Sequence, residues 1–466
     1  MKKIALLSAM LLCVMLSWAA NAPKYIFYFI GDGMGNGPLM ASQTYLRMVV
    51  DPDSTLNMLR LPVASQASTY SASTPVTDSA AAGTALSTGH KTVNGMLGVT
   101  PDSLPVTSIA KILFDNGYGV GLVTTVAPDD ATPGAFYAHV PSRSMYYEIG
   151  RQFADCGYQF LAGSSLRGAT DKKGNPTDLI PYIKSKGIDI AYGLGELPQA
   201  TSDRVILLEP TPFNNSNVGY TIDGTEGRLT LAQMTDAALA HLQRVSPDAF
   251  FLMVEGGNID HSLHGNDAAT AIVETLNFDA TLRKAIDFYL AHPDETLIVV
   301  TADHDTGGIS IGNNTSGYNA YPDMLSHSRI SKDCLSIVCD RAIADGSITT
   351  WEQARQLLSD YLGLFTEVPL DKEREARLQE IFDRIFVKKI PATQNTLYSR
   401  INEFAAVAVD MLNDVAGFGW TTLNHTGNTV PVFAAGTGSE HFNSFTDNTD
   451  IPKRILKATG LSAGQP

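Results

Sequence analysis

The residues of this chain that could do chemistry recur at one kind of place, just after a run of apolar residues. The run at 25–30 leads into Asp32, the run at 120–125 into Asp130 and Thr132, the run at 250–254 into Glu255, and the run at 297–301 into Asp303 and His304. Apolar runs of this length read as strands buried on both faces, and open α/β sheets place their ligand sites beyond the carboxyl ends of such strands. A single acid or imidazole at a strand end often does no more than satisfy nearby backbone groups. Four strand ends that all carry one point to a shared site. The glycines around Asp32 (Gly31, Gly33, Gly35 and Gly37) do not have the spacing of a dinucleotide loop. Val76-Thr77-Asp78-Ser79 precedes the alanine-rich stretch 80–85, so Ser79 stands in the first turn of a predicted helix. Free backbone N–H groups and the positive end of the helix dipole there favour both a serine alkoxide and the anionic group it would attack.

The residue types also suggest metals. Asp260 and His264 are four apart and share one face of a helical turn; with His425 they would hold one zinc ion. Asp32, Asp303 and His304 would hold a second and leave a coordination position for Ser79. Mixed Asp and His sets without thiolates suit catalytic zinc. Thr132, Glu255 and the other oxygen of Asp32 are hard ligands that suit magnesium, with Asp130 as a further oxygen anchor for water on that ion. His261, beside Asp260, is expected just outside this third metal's ligands. His90, His139, His241, His292, His327 and His441 read as structural or surface residues.

Strands alternating with helical stretches at about 107–116, 230–244 and 268–290 predict an α/β fold. The expected architecture is a doubly wound, mostly parallel sheet with helices on both faces. The rhythm breaks between about 312 and 419. There Thr349-Thr350-Trp351-Glu352 reads as a capping box, apolar residues recur at helical spacing, and a last helix is expected from about 397 to 415. This segment reads as a helical cap insertion that covers the site or an interface and supplies no metal ligand. The expected organisation is a leader at 1–22, a catalytic domain at 23–311 and 420–466, and the insertion at 312–419.

The leader reading rests on Lys2 and Lys3, an apolar run from Ile4 to Trp18 and the small residues Ala19, Ala20 and Ala22, the layout of a secretory signal peptide. It implies a periplasmic or secreted protein without stable membrane insertion, since the run is shorter than the roughly 20 residues of a span. Loss of the leader takes the net charge from −15 to about −17, which argues against nucleic-acid binding. Cys334 and Cys339 are close enough in sequence for a short-loop disulfide in an oxidising compartment, while Cys156 reads as a buried thiol.

Six segments, taken in order, resemble the motif set of secreted bacterial alkaline phosphatases. They are Phe29-Ile30-Gly31-Asp32-Gly33-Met34-Gly35, Thr77-Asp78-Ser79-Ala80-Ala81, Asp130-Ala131-Thr132-Pro133, Val254-Glu255-Gly256, Thr301-Ala302-Asp303-His304 and His425-Thr426-Gly427. The resemblance implies an enzyme with two zinc ions and one magnesium ion per chain that hydrolyses small phosphate monoesters. It implies Ser79 as nucleophile and phosphoserine carrier, Arg143 as the clamp on the phosphoryl oxygens, and a homodimer. A phosphodiesterase or sulfatase would use the same scaffold, but a sulfatase would carry a formylglycine-type cysteine in place of Ser79. A phosphate- or zinc-binding protein without turnover would have no use for a nucleophile at a helix start.

Overall fold

The computed structural model describes residues 22–213 and 216–462, so the leader expected over 1–22 lies, but for its last residue, outside the described residues. Ten strands form one sheet: β1 (Tyr25–Gly31), β2 (Val63–Ser68), β3 (Gly119–Thr124), β4 (Phe160–Gly163), β5 (Asp189–Tyr192), β6 (Val205–Leu208), β7 (Phe250–Glu255), β8 (Thr296–Ala302), β9 (Val430–Gly436) and β10 (Thr446–Asp447). Their order across the sheet is β10-β2-β9-β8-β1-β7-β3-β4-β6-β5. The central strands β8, β1, β7 and β3 pair in parallel and are almost wholly buried, which is why their sequences are mostly apolar runs rather than alternations of apolar and polar residues. Rings of Tyr25, Phe27, Phe250 and Phe288 meet edge-on at centroid distances of 5.0 to 5.5 Å and fill one face of this centre.

Only β9 runs against its neighbours, pairing antiparallel with both β8 and β2. This reversal matters for the site. Because β9 is entered at the edge where β1, β7 and β8 end, residues just ahead of it, including His425, arrive beside the carboxyl ends of the parallel strands. No helix among the described residues is long and apolar enough to cross a membrane.

Within 312–419 the helices Lys332–Asp345, Trp351–Leu362, Lys372–Phe382 and Glu403–Val415 supply Leu335, Leu358, Phe382, Phe404 and Leu412 to a hydrophobic cluster continuous with that of the sheet. Three details differ from the sequence reading. The capping box is one residue later than expected: the Thr350 side chain accepts from Gln353 N, and Gln353 reaches back to Thr350 N. The last helix begins at Glu403 instead of about 397, because 393–402 fold as an antiparallel hairpin of Thr393–Asn395 and Arg400–Asn402. The Cys334–Cys339 disulfide does not form, and both cysteines are free. They lie on one helix five residues apart, so their side chains point about 140° away from each other around its axis. Cys156 is half-buried, and burial pushes its thiol up to about 12.

Candidate active site

Each strand end delivers its residue to one edge of the sheet. Asp32 follows β1, Glu255 is the last residue of β7, Asp303 and His304 follow β8, and Asp130 and Thr132 follow β3 after a short connection. The loop after β1 must pass very close to its neighbours. Gly33 has φ 72° and donates its N–H to Asp303 Oδ1 at 3.1 Å, and a Cβ there would stand 2.9 Å from Asp260 Oδ1; a Cβ on Gly35 would stand 2.0 Å from Asp305 Oδ1. These glycines exist for close approach around carboxylates. Asp260 and His264 share the helix Gly257–His264, as their spacing predicts. His425 is held opposite Thr306 in a two-strand ladder whose other pair, Thr426 and Asp305, is joined by a side-chain hydrogen bond.

Ser79 is the first residue of the helix Ser79–Thr88, whose N-cap is Asp78, its side chain accepting from Ala81 N at 2.9 Å. Division of labour follows from that register. Asp78 satisfies the helix end, and Ser79, 1 % exposed, is left to direct its Oγ to within 3.1 Å of His304 Nε2.

The hydrogen-bond network assigns the imidazole tautomers. His264 Nδ1 lies 2.6 Å from the Leu423 carbonyl and His425 Nδ1 lies 2.8 Å from the Thr77 carbonyl, so in both rings Nδ1 carries the proton. Their Nε2 lone pairs then face each other at 3.0 Å, with Asp260 Oδ2 only 3.4 Å from that of His264. In His304, Nδ1 is 3.2 Å from Thr306 Oγ1, whose own proton goes to Asp260, and Nε2 points at Asp32 Oδ1 (3.3 Å) and Asp303 Oδ2 (3.2 Å). Acceptors that converge like this without a hydrogen between them require a cation.

Two groups satisfy that need geometrically: Asp260, His304 and His425, and Asp32, Asp303 and His304, each with ligand atoms within 4.8 Å of one another. His304 thus borders both, and His264 adjoins the first group. Asp32 Oδ1, Asp303 Oδ2, Thr132 Oγ1 and both oxygens of Glu255 are buried without hydrogen-bond partners. The donor chemistry therefore fits two imidazole–carboxylate sites and a third, all-oxygen site.

Electrostatics agree. Burial pushes Glu255 up to about 8 and Asp303 up to about 7, with neighbouring carboxylates adding to the effect, and Asp32 is raised for the same reasons. Without positive charge these acids do not all ionise together. Burial likewise depresses His304, keeping its ring neutral, the form that ligates metal.

Beside this cluster Arg143 reaches Asp78 Oδ2 (Nη1, 3.3 Å) and Asp130 Oδ1 (Nη2, 3.2 Å). Three residues that the sequence reading did not single out complete the surroundings. Arg167, four residues beyond β4, donates to Asp130 Oδ2 at 3.2 Å, and the two arginines outweigh the burial of Asp130, holding its carboxyl below the usual range. Its position just after a strand end was a readable signal. Thr306 links Asp260 to His304. Tyr398, in the hairpin of the 312–419 segment, donates its hydroxyl to Asp260 Oδ2 at 3.0 Å. Its ring stacks on His261 at a centroid distance of 3.7 Å, and His261 is buried rather than turned to solvent, with Nδ1 3.4 Å from the Asn217 amide.

Residues 23–461 match the family model described as alkaline phosphatase. The chain belongs to the alkaline phosphatase family. It is 31% identical over 449 residues to alkaline phosphatase 3 of Bacillus subtilis, covering 93% of this chain and 88% of that one. Among solved structures it resembles the cold-active alkaline phosphatase of a psychrophilic Shewanella, with a TM-score of 0.78, 28% identity, and coverage of 93% of this chain and 99% of that one. It resembles the Thermus thermophilus alkaline phosphatase at the same TM-score, with 26% identity over 96% of this chain and 93% of the other. As a member of this family the chain is an enzyme that hydrolyses phosphate monoesters. The mostly parallel sheet with its surrounding helices is the family's fold.

Proposed function

We propose that this alkaline phosphatase transfers the phosphoryl group of a small monoester to Ser79 and then to water, at a site holding two zinc ions and one magnesium ion. The facing Nε2 atoms of His264 and His425, and that of His304 aimed at two carboxylate oxygens, carry the reading, because lone pairs and carboxylate oxygens that converge in this way need positive charge among them. Asp260, His264 and His425 would hold one zinc, Asp32, Asp303 and His304 the other, with Ser79 adjoining. Thr132, Glu255 and Asp32 would hold magnesium, with Asp130 and His261 outside it. When bound, these ions supply Lewis acidity at the phosphoryl and leaving oxygens and offset the charge of the clustered carboxylates.

The chain's own residues account for the rest. Ser79 Oγ attacks phosphorus, its charge favoured by the helix start; the Oγ–P bond forms as the P–O bond to the alcohol breaks, and the serine proton leaves with the alcohol. Water then attacks the same phosphorus, returning Ser79 and inorganic phosphate. Arg143, held planar between Asp78 and Asp130, presents paired N–H donors to two phosphoryl oxygens. Family resemblance adds a homodimer, and the leader adds a periplasmic or secreted location.

The experiment is an acid quench of enzyme mixed with ³²P-labelled monoester, followed by peptide mapping. Label on Ser79 is expected; Ser79→Ala should keep its metals, lose the label and lose most turnover. Label on another residue would overturn the reading.

A further inference from the structure

We infer that Tyr398 is a positioning residue that the 312–419 segment contributes to the Asp260 zinc site, an inference that rests on the two-zinc reading above. Asp260 is completely buried, and its two oxygens are each approached by one hydroxyl: Thr306 Oγ1 donates to Oδ1 and Tyr398 Oη donates to Oδ2. The two donors have different origins. Thr306 belongs to the loop after β8, three residues from Asp303, whereas Tyr398 lies 138 residues along the chain from Asp260.

The hairpin that carries Tyr398 is built to hold it still. Its turn is closed by Thr396 N to Ser399 O and by Ser399 N to Thr396 Oγ1, both 2.9 Å. Its base is tied to the helix Lys332–Asp345 by Asn402 N to Ser336 Oγ at 2.8 Å and Asn402 Nδ2 to Asp340 Oδ1 at 2.7 Å, with Ile401 buried beneath. Leu397 at the same turn is 57 % exposed, whereas the neighbouring Tyr398 is turned inward onto Asp260.

Inside, the tyrosine makes three contacts at once. The hydroxyl is on Asp260, the ring face lies on His261, and the ring meets His264 edge-on at 5.2 Å. Asp260 and His264 are two of the three residues assigned to the same zinc. A hydroxyl on the carboxylate and a ring edge against the imidazole fix the orientation of both ligands before the ion arrives, so less order must be imposed on binding. The tyrosine touches ligands and not the reacting atoms, so its effect falls on the metal.

The test compares wild type, Tyr398→Phe and Tyr398→Ala by competition with a chromogenic zinc chelator, alongside kcat and KM for an aryl phosphate. Melting of the metal-free proteins shows that each variant is folded. One of the two zincs in Tyr398→Phe should bind about 10- to 100-fold more weakly, the range seen when a partner of a metal ligand is removed. The other zinc should be unchanged, and saturating zinc should restore most of the lost kcat. Tyr398→Ala should weaken the same zinc at least as much. Wild-type zinc affinity in Tyr398→Phe overturns the inference, whether or not Tyr398→Ala is affected, because the ring alone would then be acting as packing. A wild-type chain that binds no zinc overturns the two-zinc reading as well, and the unmutated protein reports that outcome separately.

Discussion

Replacing Arg143 by serine tests how the site grips its substrate. In the free enzyme the guanidinium spans Asp78 and Asp130, and its side chain is 21 % exposed, so water partly screens its contacts. Two charge-assisted hydrogen bonds to a phosphoryl group contribute about 1.5 to 3 kcal/mol each, and partial exposure argues for the low end. A total of about 3 kcal/mol corresponds to a roughly 10²-fold loss in kcat/KM on a monoester. Asp130 keeps Arg167 at 3.2 Å, and Asp78 faces solvent enough to remain solvated, so the variant should fold. A diester has one of these oxygens blocked by its second substituent, so it should lose only one bond's worth, about 10-fold. The assay is steady-state kinetics on an aryl phosphate and the matching diester under identical metal loading. Equal proportional losses on both substrates would refute the clamp and make Arg143 a structural partner of Asp78 and Asp130.

Two further outcomes are expected. Dialysis against magnesium-free buffer should remove the metal at Thr132 and Glu255 while both zincs stay, and added magnesium should restore activity. A third zinc at full stoichiometry, or activity indifferent to magnesium, would contradict the all-oxygen site. Glu274, buried and accepting from Thr221 N, is pushed by burial from 4.5 up to about 7. The folded state therefore holds this proton more tightly than the unfolded one, so the contribution of Glu274 to stability is greatest below pH 4.5, falls as pH rises to 7 and is level above. The loss is on the order of 3 kcal/mol. Glu274→Gln keeps the acceptor and removes the charge, so its urea midpoint should exceed that of the wild type at pH 8 and match it near pH 4; equal midpoints at pH 8 would refute the assignment.

Much of the candidate site was legible because the residues proposed as ligands are tied to strand ends. A buried parallel strand announces itself as an apolar run, and the residues immediately beyond its carboxyl end must sit at one edge of the sheet. Asp32, Glu255, Asp303 and His304 were therefore readable as neighbours before any contact was known. Asp260 and His264 were readable because helix geometry relates residues four apart. The serine's place at a helix start was equally local, although whether Asp78 or Ser79 capped the helix depended on register, which only the backbone decided.

Long-range and antiparallel pairing decided the rest. His425 joins the cluster because β9 runs backwards between β8 and β2, and nothing in the local sequence of 430–436 states a direction. The cysteines at 334 and 339 looked pairable by distance along the chain, yet a continuous helix turned them apart. Tyr398 stood in a stretch that helical propensity assigned to the start of a helix. The hairpin formed instead, through ties from Asn402 to Ser336 and Asp340, residues more than sixty positions away. Local sequence determined which residues could bind metal, since strand and helix periodicities act over a few residues. Only the tertiary structure decided what surrounds those ligands, because the partners of a buried carboxylate are chosen by packing among segments that the chain brings together from far apart.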